Sequence, residues 1–80
     1  MQSIIRPIGL LKIYCRDKLD SEQSIAIVDP NGRSLTDICS ELGLPVTLIS
    51  HYIVNGELRS GDYVLLPGDD VKCIAVIGGG

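Results

Sequence analysis

Short stretches in which apolar and polar residues alternate, separated by Gly, Pro, Asn and Asp, divide the chain into predicted strands. Alternation across Leu10–Arg16 predicts a first strand whose apolar odd-numbered residues face one side. Ser24–Val28 is rich in β-branched residues and predicts a second strand, which we expect to form a hairpin with the first. Residues 1–9 precede both strands and have no clear period, because Pro7 and Gly9 interrupt their apolar residues.

One helix is predicted over Leu35–Leu42, where apolar residues recur at spacings of three and four and so share one face. Ser34 is a natural N-cap, and Asp37 lies in the first turn, near the positive end of the helix dipole. Gly43 suits the left-handed conformation after the last turn, and Pro45 prevents continuation. A helix this short must pack its apolar face onto a sheet to be stable.

The second half of the chain predicts further strands around an Asn-Gly turn. His51–Val54 is predicted as a strand, and Asn55-Gly56 is a typical turn dipeptide. Glu57–Asp62 is predicted as a polar connection, and Tyr63–Leu66 fits either a short strand or a packed loop. Val71–Ile77 is the last predicted strand and is apolar on both sides, which is typical of a central strand. We expect it to pair in parallel with the first strand.

This element order predicts an α+β domain in which one helix covers one face of the sheet. The opposite face would then carry Ile74 and Val76, and an exposed apolar patch often marks a docking surface. We therefore hypothesise a partner-binding surface around Ile74 and Val76, with Tyr52 or Tyr63 nearby. The alternative is that residues 1–9 cover this face and make it part of the core.

Composition and net charge exclude some classes of function. The chain has 80 residues, 45% of them hydrophobic, with three Tyr and neither Trp nor Phe, so Ile, Leu and Val must build a small core. The net charge is −3 and the basic residues are scattered, which argues against nucleic-acid binding. The sequence shows no signal peptide and no apolar run long enough to span a membrane, so we expect a cytoplasmic protein with no membrane partner.

No group of residues predicts catalysis, a metal site or a bound cofactor. The three cysteines contain no C-x-x-C pair and lie in apolar settings, which favours buried thiols over a disulfide framework or a zinc site. His51 is the only histidine and has no neighbouring nucleophile in a triad-like pattern. Asp69-Asp70 follows Pro-Gly and is explained by a turn rather than by a metal site.

Three stretches resemble the ubiquitin-like sulfur carriers of the ThiS/MoaD group. Ile53–Glu57 matches the family's strand and Asn-Gly turn, Leu65–Val71 matches its L-x-x-G-D-x-V stretch, and Gly79-Gly80 matches its diglycine terminus. The resemblance covers Leu10–Gly80. It implies a ubiquitin-like β-grasp domain over residues 1–77, with four or five strands in a mixed sheet and one main helix on one face. Residues 1–9 would be an N-terminal extension and residues 78–80 a flexible tail.

The resemblance also implies chemistry at Gly80. An adenylyltransferase of the ubiquitin-activating type would use ATP to adenylate the Gly80 carboxylate, and a persulfide enzyme would supply sulfur to make a thiocarboxylate. Gly78 and Gly79 lack side chains and would thread a narrow channel in that partner. The ending Ile77–Gly80 is more similar to thiamine carriers than to molybdopterin carriers. Thiazole synthase, or else the large subunit of molybdopterin synthase, would receive the sulfur, and the chain would be a carrier rather than an enzyme.

Three other interpretations remain open at this point. A ubiquitin-like modifier would be conjugated to lysines through the same Gly80 carboxylate. A plain β-grasp binding module would carry residues 78–80 as an inert tail, since chain ends are commonly rich in small residues. A small RNA-binding module comes last because of the net charge.

Overall fold

The computed structural model describes residues 2–27, 29–30 and 32–75. These residues form an α+β structure in which one five-stranded mixed sheet packs against one α-helix. The strands are β1 (Ser3–Pro7), β2 (Ile25–Ile27), β3 (Ile49–Val54), β4 (Glu57–Arg59) and β5 (Asp70–Ala75), and the helix is α1 (Leu35–Glu41). Short 3-10 helices span Gly9–Tyr14, Arg16–Lys18 and Val46–Leu48.

The strand order across the sheet is β2-β1-β5-β3-β4. β5 is central, pairing in parallel with β1 and antiparallel with β3, as its two-sided apolar sequence predicts. The β1–β2 and β3–β4 pairs are antiparallel. The predicted central place of the last strand is therefore confirmed. The parallel pairing was predicted for Leu10–Arg16, whereas the strand that makes it is β1 (Ser3–Pro7). The hairpin predicted between Leu10–Arg16 and Ser24–Val28 is likewise wrong, because β2 pairs with β1.

The position predicted for the first strand is wrong. Leu10–Arg16 lies in the 3-10 segments Gly9–Tyr14 and Arg16–Lys18, and β1 instead lies in the stretch that was expected to be an N-terminal extension. Leu11 and Cys15 are fully buried while Ile13 is 52% exposed, so the buried residues are spaced by four rather than by two. So few apolar residues are compatible both with the two-residue period of a strand and with the spacing of a helix, and the helical spacing is the one that buries Leu11 and Cys15.

The helix is confirmed together with its local signals. The Ser34 hydroxyl oxygen accepts a hydrogen bond from the Asp37 amide at 3.2 Å, which satisfies one of the unpaired amides of the first turn. Gly43 has a φ of +85°, a conformation that glycine adopts without strain. The amide of Leu44 donates back to the Cys39 carbonyl oxygen at 2.9 Å, which closes a Schellman-type C-terminus.

The connection predicted over Glu57–Asp62 is also partly wrong, because Glu57–Arg59 is strand β4. Asn55 and Gly56 have φ values of 52° and 85°, as the two-residue turn of a tight β3–β4 hairpin requires. β4 is an edge strand with all of its residues exposed, so its sequence has no apolar alternation to reveal it. Tyr63–Leu66 is a packed loop in which Val64 makes an isolated bridge to Ser34.

The core lies between α1 and the face of the sheet that it covers. Side chains from the strands, from α1 and from the 3-10 segment before β2 meet there, and the largest fully buried hydrophobic ones are Ile5, Leu11, Leu35, Ile38, Leu65 and Val71. Within the ranges that the structure describes, no helix has the length and apolar character needed to cross a membrane.

Candidate functional site

The two turn motifs singled out in the sequence meet at the start of β5. Asn55 follows β3, and its side-chain amide nitrogen donates to Asp69 Oδ1 at 2.9 Å. The Asn55 side-chain oxygen accepts from the Asp70 amide at 2.9 Å. The Asp69 carbonyl oxygen accepts from the Ile4 amide at 2.8 Å. The Asn55 side chain therefore links the β3–β4 turn to the start of β5, and the Asp69 carbonyl oxygen links the same point to β1.

Tyr63 and the backbone of the loop complete this group, which we call the Asp69 cluster (Asn55, Tyr63, Leu66, Asp69 and Asp70). The Tyr63 hydroxyl donates to Asp69 Oδ2 at 2.7 Å, and the Leu66 amide donates to the same oxygen at 3.0 Å. Asp69 is only 6% exposed, so its carboxylate exchanges water for these protein donors. The cluster fixes where β5 begins.

The charge state of Asp69 follows from these contacts. Burial by itself disfavours the charged form, but the hydrogen bonds from Tyr63, the Leu66 amide and Asn55 outweigh burial and lower the pKa of Asp69. The hydrogen bond to Asp69, followed by burial, raises the pKa of Tyr63. At neutral pH the cluster therefore holds a carboxylate and a protonated phenol. Neither group is prepared for proton transfer, and both stabilise the structure.

The face of the sheet away from α1 carries residues that are all half-buried or exposed, and we call it the open face. Across the strands, Ile4 pairs with Ala26, and Ile53 pairs with both Leu58 and Lys72. Next to them, Ile74 pairs with His51. The members of the open face are Ile4, Arg6, Ala26, His51, Ile53, Leu58, Asp70, Lys72 and Ile74.

The open face combines apolar and charged residues. Leu58 is 62% exposed on the edge strand β4, where it pairs with the half-buried Ile53, and Ile74 is half-buried on the central strand β5. Lys72 lies on β5 between Arg6 and Ile53, and the Arg6 guanidinium makes an ion pair with Asp70 at 3.0 Å. A partner that presents both apolar side chains and carboxylates would be complementary to this surface.

The structure separates the residues that the sequence grouped into one docking surface. Ile74 lies on the open face, as predicted. Tyr52 pairs with Cys73 and is 6% exposed on the helix side, so it does not share a face with Ile74. Tyr63 is half-buried in the loop beside the first turn of α1, where its carbonyl oxygen accepts from Leu35. Val76, Gly78, Gly79 and Gly80 lie outside the described residues.

Sequence reasoning missed the contributions of Ile4, Ile53 and Leu58 to the open face. Ile53 alternates along β3 with the buried residues Tyr52 and Val54, and this alternation could have placed it on the opposite face. Leu58 belongs to an edge strand and Ile4 to a strand that was not predicted, so neither could be placed before the strand pairing was known. Within the described part of residues 1–9, Ser3–Pro7 lies in the sheet beside β5 and so does not cover the open face.

Four further titratable groups, Tyr52 and the three cysteines, belong to the core. Burial, followed by charge interactions with two thiols, raises the pKa of Tyr52 to about 12, so it stays protonated. The described cysteines Cys15, Cys39 and Cys73 are unpaired and buried. Among residues 2–27, 29–30 and 32–75, no three or more His, Cys, Asp or Glu side chains are grouped to hold a metal ion.

No protein-family model, curated protein sequence or solved structure matches the chain. The features of this chain that bear on its function are the strand order, the Asp69 cluster and the open face.

Proposed function

We propose that the chain is a ubiquitin-like β-grasp sulfur carrier whose Gly80 carboxylate is adenylated and converted to a thiocarboxylate. The observation that carries this proposal is the sheet order β2-β1-β5-β3-β4 with one α-helix on one face. That arrangement is the one expected of a β-grasp fold, and it ends on the strand that leads to Gly78-Gly79-Gly80 in the sequence. Two of the three motifs of the resemblance, Ile53–Glu57 and Leu65–Val71, are also in contact with each other through the Asp69 cluster.

The position of β5 suits a carrier. β5 is hydrogen-bonded to a neighbour on each side, and its first residues are fixed by the Asp69 cluster. A strand held on both edges gives rigid support to the residues that follow it. A partner that binds the open face would thus hold Ile74, six residues before Gly80 in the sequence, in a defined place. Preorganisation of this kind lowers the cost of positioning a reacting group.

The reaction uses Gly80 as the acyl donor and leaves catalysis to the partner. The Gly80 carboxylate oxygen attacks the α-phosphorus of ATP, and pyrophosphate departs to leave an acyl-adenylate. A persulfide sulfur then attacks the acyl carbon and displaces AMP, and a thiol reductant cleaves the resulting acyl disulfide to the thiocarboxylate. Gly78 and Gly79 would let the chain enter a narrow cleft because they carry no side chains.

The open face is the proposed docking surface for the activating enzyme. Its apolar residues would be buried in the complex, and burial of exposed apolar area is favourable by about 25 cal/mol per Å². Arg6 and Lys72 would face carboxylates of the partner, which favours correct orientation on encounter. The thiazole pathway is the proposed destination of the sulfur, with molybdopterin synthesis as the alternative, because of the resemblance of the ending Ile77–Gly80.

Mass spectrometry of the protein purified from its native host tests the proposal. The sample is incubated with ATP, a sulfur donor and host extract, and we expect its mass to increase by about 16 Da. Oxidation of a methionine or a cysteine adds about the same mass, so fragment spectra must locate the increase on Gly80. A chain lacking Gly79-Gly80 is the matched control and should stay unmodified. Fragment spectra that find Gly80 joined to lysines would replace the carrier with a protein modifier. An unmodified Gly80, or a chain that continues beyond it, would overturn the proposal.

A further inference from the structure

Two thiols face each other in the core between α1 and the central strand. Cys39 lies in α1, Cys73 lies in β5, and their sulfur atoms are 3.7 Å apart. Both residues are fully buried. The proposed carrier function uses neither thiol, so the pair is a feature of the structure that is independent of that function.

The two thiols influence each other's ionisation. When one thiol loses its proton, its sulfur accepts a hydrogen bond from the other thiol, which stabilises the thiolate. Loss of the first proton from the pair is therefore easier than loss of the second. The hydrogen bond with Cys73 lowers the pKa of Cys39 against the effect of burial. The same hydrogen bond, followed by burial, raises the pKa of Cys73. Loss of the first proton from Cys39 is therefore favoured over its loss from Cys73.

We propose that Cys39 and Cys73 form a redox-responsive dithiol that closes to a disulfide under a peroxide and thereby ties α1 to β5. A disulfide bond is about 2 Å long, so the sulfurs must approach each other by somewhat less than about 2 Å. Closure therefore requires a movement of that size, by side-chain rotation or by a shift of the short helix α1.

The reaction balances with hydrogen peroxide as the oxidant. The Cys39 sulfur attacks one peroxide oxygen, the O–O bond breaks, and water leaves with a sulfenic acid formed on Cys39. The Cys73 sulfur then attacks the Cys39 sulfur, the S–O bond breaks, and the second water leaves with the Cys73 proton. Two thiols and one peroxide give one disulfide and two waters, and a dithiol reductant reverses the change.

Cys15 is the internal comparison. It is also fully buried, but its thiol donates to its own segment, at 3.8 Å from the Leu11 carbonyl oxygen. Burial raises the pKa of Cys15, with no hydrogen bond from a second thiol to offset it. Three buried thiols therefore differ in geometry, and only the Cys39–Cys73 pair is in direct contact among the described residues.

Burial sets the rate of oxidation. The oxidant must reach sulfur atoms that are covered in the folded protein, so reaction requires transient opening around α1. Oxidation of the folded protein should thus be slower than oxidation of the chain in urea. It should nevertheless give one disulfide, because folding keeps the two partners together and the third thiol apart.

Tryptic peptide mapping of the full chain identifies the product. Cleavage after Lys and Arg places the three cysteines in three different peptides, residues 13–16, 34–59 and 73–80. After hydrogen peroxide treatment and alkylation of the remaining thiols, we expect a link between 34–59 and 73–80. The intact monomer should be about 2 Da lighter, for the two hydrogens lost. Cys15→Ser should retain the link, and Cys73→Ser should lose it.

Urea denaturation gives a second measurement that needs no variant. The oxidised wild-type protein should unfold at a higher urea concentration than the reduced protein, because the link restricts the unfolded chain. Added dithiothreitol should return the midpoint to its reduced value. A link that includes Cys15, a disulfide between molecules, or a lower midpoint after oxidation would overturn the proposal. So would thiols that stay reduced in the folded protein while the same thiols oxidise in urea.

Discussion

The side-chain amide of Asn55, in the β3–β4 turn, donates a hydrogen bond at 2.9 Å to Oδ1 of Asp69, the residue before β5. Both residues lie in turn motifs, and each motif by itself is common in proteins. Their contact gives them a shared role, since Asp69 also accepts from Tyr63 and from the Leu66 amide. Asp69 is therefore the residue on which the geometry of this end of the sheet depends.

Replacing Asp69 should destabilise the fold. In Asp69→Asn, one acceptor oxygen becomes an NH2 group that faces either Asn55 or the Leu66 amide, and each of these is a donor. We expect the free energy of unfolding to fall by about 1–3 kcal/mol, the cost of unsatisfied buried hydrogen-bonding groups. Urea denaturation followed by circular dichroism measures the change.

Asp17→Asn is the matched control for that substitution. The Asp17 side chain is 85% exposed, and its ion pair is with Lys18 at 3.9 Å. Replacing this carboxylate by an amide should therefore change the free energy of unfolding little. Equal losses in the two variants would contradict the structural role assigned to Asp69.

Acid should destabilise the protein partly through Asp69. Its pKa in the folded state is lowered from the ordinary value of 3.8, so the folded form binds its proton less readily than the unfolded form. The stabilisation is complete well above that value and is lost as the pH falls through the lower, folded pKa. Urea midpoints should be flat from about pH 7 to about pH 5 and should then decline.

The variant Asp69→Asn separates this contribution from that of the other carboxylates. The hydrogen bond from the Ser24 amide outweighs the opposing effect of burial and lowers the pKa of Asp20, so some acid sensitivity should remain in the variant. The decline below about pH 5 should nevertheless be shallower than in the wild-type protein. A decline of unchanged slope would show that Asp69 is not ionised in the cluster.

Gly61 is required by its contact with Thr36. The Thr36 amide and hydroxyl both donate to the Gly61 carbonyl oxygen at 2.9 Å, and a Cβ on residue 61 would overlap the Thr36 hydroxyl oxygen. Gly61→Ala should thus lower the free energy of unfolding by about 1–3 kcal/mol, the usual cost of overpacking. Thermal or urea denaturation measures the loss.

A double-mutant cycle tests whether this contact is the cause. In Thr36→Ala the overlapping oxygen is absent, so adding Gly61→Ala should cost clearly less than it does in the wild-type background. Gly56→Ala is a useful contrast, because a Cβ there meets nothing within 4 Å and only the positive φ is strained. Equal costs of Gly61→Ala in both backgrounds would refute the contact.

Ile74→Asp should separate docking from folding. Ile74 is half-buried on the open face, so a carboxylate can reach water there while it removes apolar area at the proposed docking surface. In host extract supplied with ATP and a sulfur donor, we expect at least a tenfold slower modification of Gly80, since loss of a central interface residue often exceeds 1.4 kcal/mol. Circular dichroism should show an unchanged fold.

Ile13→Asp is the matched control for the docking prediction. Ile13 is a 52% exposed isoleucine of the 3-10 segment, outside the open face, and its replacement should leave the modification rate unchanged. If Ile74→Asp is folded and is modified as fast as the wild-type chain, the open face is not the docking surface, whereas the carrier function itself would stand.

Local signals account for the parts of the fold that were predicted. Ser34 and Gly43 act through hydrogen bonds and φ values within a few residues, so the helix could be bounded without knowledge of its neighbours. The Asn55-Gly56 turn is likewise local, because its two positive φ values are a property of those residues. The central place of β5 followed from apolar residues on both sides of one strand.

The parts that were missed depend on partners distant in the sequence. β1 is a strand because Ile5 lies beside Val71 in the sheet, and the segment after it is helical because Leu11 and Cys15 both fit into the core. β4 has no buried residue and exists through its backbone pairing with β3. Tyr52 was assigned to the docking surface because alternation shows two faces of a strand and does not say which of them the helix covers.

The amino-acid sequence by itself therefore determined α1 with its caps, the β3–β4 turn, the two-sided apolar strand β5 and the motifs that resemble sulfur carriers. The tertiary structure alone decided the pairing of β1 with β5, the composition of the open face, the Asp69 cluster and the contact between Cys39 and Cys73. The physical reason is the distance along the sequence between the interacting groups. Caps and turns are satisfied by groups a few residues away, whereas sheet pairing and side-chain clusters join groups brought together only by folding.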